Sequence, residues 1–460
     1  MPTDQQVKDG MLPLLLAMLW ITGLPIFLLF GNRLLATLPV LKADRVTFLL
    51  AAAPLVVTAL RHPRRLQAAG RVEKAMVVYL AVILVSWGTT LPSKDLAAFK
   101  QDADFLLTCF VMPFAAFLIA RNTEWTTERL SICLWVLVAG VGSYLVLVGT
   151  VQYTYDWNFL VPEVLREIHP DRAKGPFENA VPYGVVLSML VPLALFLYLR
   201  SRGTWARCTV VAIAIGLVQS IVACKTRAVW MAAPVALLLP AVRYPRLRLI
   251  AGLLTLQLAL QLLLAPAVGF DQLGVRQRLT QPEQVYDRVA VSATASNMIE
   301  HRPLLGFGFG ILTFNEDKAA YYASWGGISP RWAMFPNNPH NDFLNVLVMM
   351  GVVGLVAYVA LLWMIWQLLW RNRSRWQRGN RVDPELATFV QAAFLVLIIA
   401  GQLHSVMHMS YAQVLFFFLL GIVARGVTET AHAVSGQPRA AGSASAWQRP
   451  SVEGATGGEP

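Results

Sequence analysis

Charge is scarce in this chain. Lys, Arg, Asp and Glu together make up only 14% of its 460 residues, whereas an ordinary soluble domain carries roughly a quarter. Hydrophobic residues make up 56%. A water-soluble fold cannot hide that much apolar surface, so the two or three soluble domains that length alone suggests are excluded. Cysteine is also sparse. Cys109, Cys133, Cys208 and Cys224 each lie in or beside an apolar run with no close spacing, which excludes a CxxC redox or metal motif and reads as small buried hydrophobes. Acidic residues are few inside the apolar runs, so the carboxylate relay of a proton- or sodium-coupled transporter is hard to build. No HExxH, P-loop or DxD-type nucleotide-sugar signature stands out, which leaves no case for a bound zinc, another cofactor or a cytosolic nucleotide substrate.

What the chain does have is apolar runs long enough to cross a bilayer, which takes about 20 residues. They fall at 11–30, 44–60, 75–89, 104–120, 129–150, 181–199, 208–224, 228–242, 247–266, 342–369, 385–404 and 409–425. The fold expected is an all-α polytopic membrane protein of about twelve transmembrane helices with one large outward loop. The organisation expected is nine helices over 1–266, a loop over 267–341, three helices over 342–425 and a tail over 426–460. The run Met11–Phe30 has no small-residue cleavage site after it and reads as a retained first helix. The tail, rich in Gly, Ser, Ala and Pro from Ala431 on, has the composition of a disordered segment.

The net charge of +12 does not point to nucleic acid here. Much of the excess sits in alternate short loops: Arg61, Arg64, Arg65, Arg71 and Lys74; Arg121; Arg200, Arg202 and Arg207; Arg243, Arg246 and Arg248; and Arg371 to Arg381. By the positive-inside rule these loops and both termini are cytoplasmic, and the loops at 151–180 and 267–341 face outward.

The outward loop contains most of the chain's polar patterning. Thr280-Gln-Pro-Glu283 reads as a capping box that opens a helix to about Glu300, with Val285, Val289 and Ala293 as its packed stripe and Arg288 at the edge of that face. His301-Arg-Pro-Leu-Leu-Gly-Phe-Gly-Phe-Gly310 follows. Pro303 ends the helix, and the glycines do not follow a strand, so the string reads as a structural loop rather than a dinucleotide-binding turn. Then Phe335-Pro-Asn-Asn-Pro-His340-Asn-Asp-Phe-Leu-Asn345 runs into a very apolar helix. His340 stands at the mouth of that helix among Asn337, Asn338, Asn341, Asp342 and Asn345. An imidazole there, with an unperturbed pKa near 6.5, is suited to take a proton from a hydroxyl.

Two further features interrupt apolar segments. Lys225 and Arg227, in Cys224-Lys-Thr-Arg-Ala228, read either as an ordinary charged turn or as an anion clamp at the outer surface. Arginine suits the second role because its planar fork binds phosphate in a bidentate way. His404-Ser-Val-Met-His408 has the spacing of two metal ligands on a helix, but it falls in a turn and lacks a third ligand nearby.

Taken together, the late outward loop, its Arg-bearing helix, "IEHRPLLGFGFG" and "NNPHNDFLNVLVMMGVVGLVAY" resemble the O-antigen ligase and O-antigen polymerase superfamily of bacterial envelope enzymes. The match is strongest from Arg288 to Tyr358. It departs from the usual pattern at Met349, where many members have an acidic residue two positions before Gly351. The resemblance implies a metal-independent glycosyltransferase of the membrane-embedded, GT-C-like class in the bacterial inner membrane. Its donor would be a glycan on undecaprenyl diphosphate, and its acceptor, in the ligases, a hydroxyl of lipid A–core oligosaccharide. It assigns His340 and Arg288 to catalysis, and Arg227 and Arg288, with Lys225 beside them, to the diphosphate. Asn338, Asn341, Asp342 and His301 are the expected supporting residues. A repeat-unit polymerase and, from another class, a secondary transporter are the alternatives.

Overall fold

The computed structural model describes residues 12–26, 43–63, 66–155, 172–177, 179–264, 283–322, 338–375 and 385–434. The capping hydroxyl at Thr280, Asn337, most of the 151–180 loop, Arg64, Arg65, the end of the basic run after Arg375, and the tail beyond Val434 lie outside them. Among the described residues there is no strand. The helices are α1 (Leu12–Ile26), α2 (Ala43–Arg61), α3 (Arg71–Thr90), α4 (Leu96–Asn122), α5 (Thr127–Gln152), α6 (Ala180–Arg200), α7 (Thr204–Ala223), α8 (Arg227–Arg243), α9 (Pro245–Leu263), α10 (Glu283–His301), α11 (Thr313–Asp317), α12 (Asp342–Arg375), α13 (Leu386–Gly401) and α14 (Ser410–Val434). Each of the twelve apolar runs in the sequence falls on one of them. Eight are long and apolar enough to cross a membrane; α1, α13 and the apolar part of α14 are shorter, and α8 has 17 residues.

Local chemistry sets several helix starts. Asp95 accepts from the Ala98 amide (2.7 Å), Thr126 from Arg129 (3.2 Å) and Asn179 from Val181 (3.1 Å), each satisfying a donor that the helix itself cannot. Packing then arranges the bundle. α6 is buried along almost its whole length, wrapped by α7, α8, α13 and α14, while α14 lies along the second half of α4 and α3 lies along α12. The outer helices turn apolar side chains away from the protein: Leu49, Val56, Val57 and Leu60 on α2, Val77, Val78, Leu84 and Val85 on α3, and Leu249, Leu253 and Leu256 on α9. A band of that size is the lipid-facing surface of a multi-pass membrane protein.

The bundle has two chemically distinct ends. At one, Arg121 pairs with Glu73, Arg200 with Glu385 (3.5 Å), and the Tyr244 hydroxyl lies 3.5 Å from that of Thr388. Arg121 and Arg200 come from two of the alternate basic loops. At the other end meet the start of α4, the start of α8, α10, the start of α12 and the end of α13.

α12, read from the sequence as one continuous helix, is broken at Gly351 (φ 61°, ψ −160°), a conformation that favours glycine. The break would strand the carbonyls of Val348 and Met349 and the amides of Val352 and Val353 at membrane depth, where no water can satisfy them. The glycine string takes all four. Phe307 and Gly308 donate to Val348 and Met349 (2.8 and 2.9 Å), and Val352 and Val353 donate to Pro303 and Leu304 (2.8 and 3.3 Å). The Ser86 hydroxyl adds a second bond to Met349 (3.2 Å). At Gly306 (φ 67°) a Cβ would lie 2.6 Å from the Met349 carbonyl carbon, and at Gly351 it would meet the Leu304 carbonyl. The string is thus a structural loop, as its setting in the sequence suggests.

The same loop is moored to α4. Lys94 pairs with buried Asp102, Lys94 also donates to the Phe309 carbonyl (3.3 Å), and Asp102 accepts from the Ile311 amide (2.9 Å). Phe309 stacks on Phe105 (5.2 Å). α10 sits over this joint through a small core of Val291, Ala295, Met298, Phe307, Phe314 and Val348. Its packed face is therefore Ala290, Val291, Thr294, Ala295 and Met298 rather than the stripe expected through Val285, which is 50% exposed. Small side chains win that face because α10 lies close against the loop and α12.

Candidate functional site

Three turns and one helix converge at the second end of the bundle. The first turn is 338–341. The amide of His340 donates to Asn338 Oδ1 (2.9 Å), and this Asx turn holds His340 at φ 52°, a costly conformation for a residue with a side chain. Asn341 caps α12, its Oδ1 accepting from Phe343 and Leu344 (2.9 and 3.1 Å). Its Nδ2 donates to the Gln402 carbonyl (3.0 Å).

The second turn, 401–408, joins α13 to α14. It is tied to the first at every step: Ser405 Oγ donates to Asn338 Oδ1 (3.0 Å), the Met407 amide to Asp342 Oδ1 (3.1 Å), and Asn345 Nδ2 lies 2.7 Å from His408 Nε2. Asp342 is buried and faces Gly401, where a Cβ would come 2.6 Å from Oδ2. Asn338, Asn341 and Asp342 are thus the braces between the two turns.

Arg288 reaches this hub from α10. One Nη donates to the Leu403 carbonyl and the other lies 3.1 Å from His404 Nε2. The His404 ring stands edge-on to His340, with centroids 5.1 Å apart. Burial, with the Arg288 charge adding to it, pushes the His340 imidazole down to about 4. His408 is likewise pushed down to about 4 by burial and then by His340. Both rings are neutral at pH 7. Nδ1 of His340 is buried with no hydrogen-bond partner. A neutral imidazole keeps one unprotonated ring nitrogen that can accept a proton.

The third turn, 224–227, leads into α8. Lys225 sits there at φ 48° and is buried, as is Thr226. Arg172, from the loop before α6, holds this turn by donating to the Cys224 carbonyl (3.1 Å) and to Thr226 Oγ1 (2.6 Å). Buried Lys174 is two residues away. Arg227 is near enough to Arg288 that its charge, after burial, lowers the Arg288 pKa; neighbouring Asp287 opposes this. Burial raises Asp287 itself, against the pull of Arg288 and Lys318.

The structure therefore brings together His340, Arg288, Asn338, Asn341 and Asp342, with Arg227 within electrostatic reach and Lys225 on the turn that starts α8. His301 is elsewhere. It is thirteen residues along α10 from Arg288, about 20 Å, exposed, with Nδ1 2.8 Å from the Asn297 carbonyl and its ring against Tyr321. Sequence reasoning passed over His404 and Arg172. The only signal for His404 was the HSVMH pair, and its two rings turn to different partners, Arg288 and Asn345. Among the described residues no group of three His, Cys, Asp or Glu side chains is arranged as metal ligands.

Half-buried Arg288 and Arg227 near a neutral imidazole, at one rim of a lipid-facing bundle, suit a substrate with an anionic head and an apolar tail. No curated protein matches the chain. Residues 212–359, from α7 into α12 and including Arg227, Arg288 and His340, match the family model described as O-antigen ligase.

Proposed function

We propose that this protein transfers O-antigen polysaccharide from undecaprenyl diphosphate to a sugar hydroxyl of lipid A–core oligosaccharide at the periplasmic face of the inner membrane. The observation that carries the reading is the meeting of Arg288 and His340, both inside the matched segment, on either side of His404, at the bundle end away from Arg121 and Arg200. The positive-inside rule puts the alternate basic loops and both termini in the cytoplasm, with twelve crossings, and so turns the site outward.

In this reading the acceptor hydroxyl attacks the anomeric carbon, the bond from that carbon to the diphosphate oxygen breaks, and its electron pair leaves with the diphosphate. Arg288 and Arg227, with Lys225 near the start of α8, stabilise the charge that develops on the departing group. His340 accepts the proton of the attacking hydroxyl. No protein nucleophile is required, so the anomeric configuration inverts. The low pKa of His340 has a consequence here: an anionic diphosphate beside Arg288 offsets the cationic charge that helps to depress the imidazole, so the base strengthens when the donor is bound.

The test is purified protein with undecaprenyl-diphosphate glycan and lipid A–core in EDTA. Glycan joined to core is the expected product. Glycan joined instead to a second lipid-linked repeat would make the protein a polymerase, and absence of any transfer would overturn the reading.

A further inference from the structure

We infer that His404 is a positioning residue for Arg288, holding the guanidinium in the orientation in which it meets the diphosphate. This inference rests on the assignment of Arg288 to the donor.

The chemistry of the contact decides its direction. A guanidinium has donors only, so at 3.1 Å His404 Nε2 must be the acceptor, and the ring proton is on Nδ1. The other Nη of Arg288 is taken by the Leu403 carbonyl. Two adjacent acceptors of one turn thus grip the two ends of the fork, which fixes the plane of the group and not only its location. A carbonyl alone leaves the guanidinium free to swing about that bond.

The turn that presents these acceptors is itself rigid. The amides of Leu403 and His404 both donate to the Ala400 carbonyl (3.1 and 2.9 Å), Ser405 is tied to Asn338, and Met407 to Asp342. His404 also lies edge-on against His340. It therefore sets the spacing of the phosphate-binding cation from the base. It lies outside the segment that matches the family model, on a turn contributed by the last two helices. The engagement of Nε2 by Arg288 also accounts for the HSVMH spacing without a metal: His404 and His408 each serve one polar partner of a different element.

The experiment compares His404→Ala, His404→Gln, Arg288→Ala and the double variant Arg288→Ala/His404→Ala in the transfer assay, with membrane level and thermal midpoint recorded for each. Gln keeps a neutral acceptor at the end of a side chain of similar reach. Expected are a kcat roughly 10- to 100-fold lower for His404→Ala with a smaller change in KM, substantial recovery in His404→Gln, and a double variant no worse than Arg288→Ala alone. If His404→Ala does not reach the membrane, the Gln variant decides: activity near wild type supports the inference, and a loss like that of a truncation overturns it. An active His404→Ala, or a double variant in which the two losses multiply, also overturns it. Wild-type activity in Arg288→Ala would instead sink the assignment of Arg288 to the donor, which is a separate failure.

Discussion

Two stretches flank the start of α12 and could hardly look more different in sequence. Residues 303–310 are conspicuous, with three glycines and two phenylalanines in a short string; residues 401–408 look like an ordinary connector. The conspicuous stretch makes a backbone joint that mends a broken helix. The plain stretch holds Arg288, braces the His340 turn and presents His404. A glycine string marks where main chains must touch, whereas an isolated polar residue in a connector can carry the contacts that matter to a reaction.

The largest effect expected on the chemical side of this comparison comes from Arg288→Ala, His340→Ala and Arg227→Ala. Each should lower kcat on the order of 10²- to 10³-fold while the protein stays at normal level in the membrane, read as transfer to core and by immunoblot of membranes. Near-normal transfer in all three would move the chemistry away from this end of the bundle. Next is the structural side. Gly351→Ala forces a side chain into a left-handed conformation and against the Leu304 carbonyl, at a cost of about 1–3 kcal/mol. Its signature is a lower thermal midpoint and lower yield in detergent. A variant as stable as wild type would mean that the break does not need glycine.

The smallest effect is one of pH. His340 acts only when neutral, so activity falls as pH drops through its pKa. With that value at about 4 in the free protein, kcat/KM, corrected for ionisation of the donor, should change by no more than about twofold between pH 7 and pH 5. The acid limb of kcat, which reports the donor-bound state, should lie at higher pH. A kcat/KM limb near 6.5 would show that the ring is not shielded.

Most of the fold was legible because bilayer-crossing segments announce themselves by length and composition. The apolar runs fall on helices, and Arg288, His340, Asn338, Asn341 and Asp342 fall together. The break at Gly351 was not legible, since a lone glycine in an apolar run looks like any small residue of a membrane helix. The packed face of α10 was misread because hydrophobicity pointed to Val285, while close approach selects Ala290, Thr294 and Ala295. The partnership of His404 with Arg288 spans 116 positions and leaves no trace in local spacing. His301 was drawn in by its motif, yet it belongs to the far end of α10.

The joint between the glycine string and α12 is written in main-chain amides and carbonyls, so, apart from the glycines at 306 and 351, its specification is one of length rather than of side-chain identity. Residues such as Leu304, Val348 and Met349 are then exchangeable for others of similar size, but inserting or deleting a single residue within 303–308 or within 348–353 would slide the paired amides and carbonyls out of register. For anyone building hybrids between related membrane enzymes, the safe crossover points therefore lie outside 303–353, and that block should travel whole.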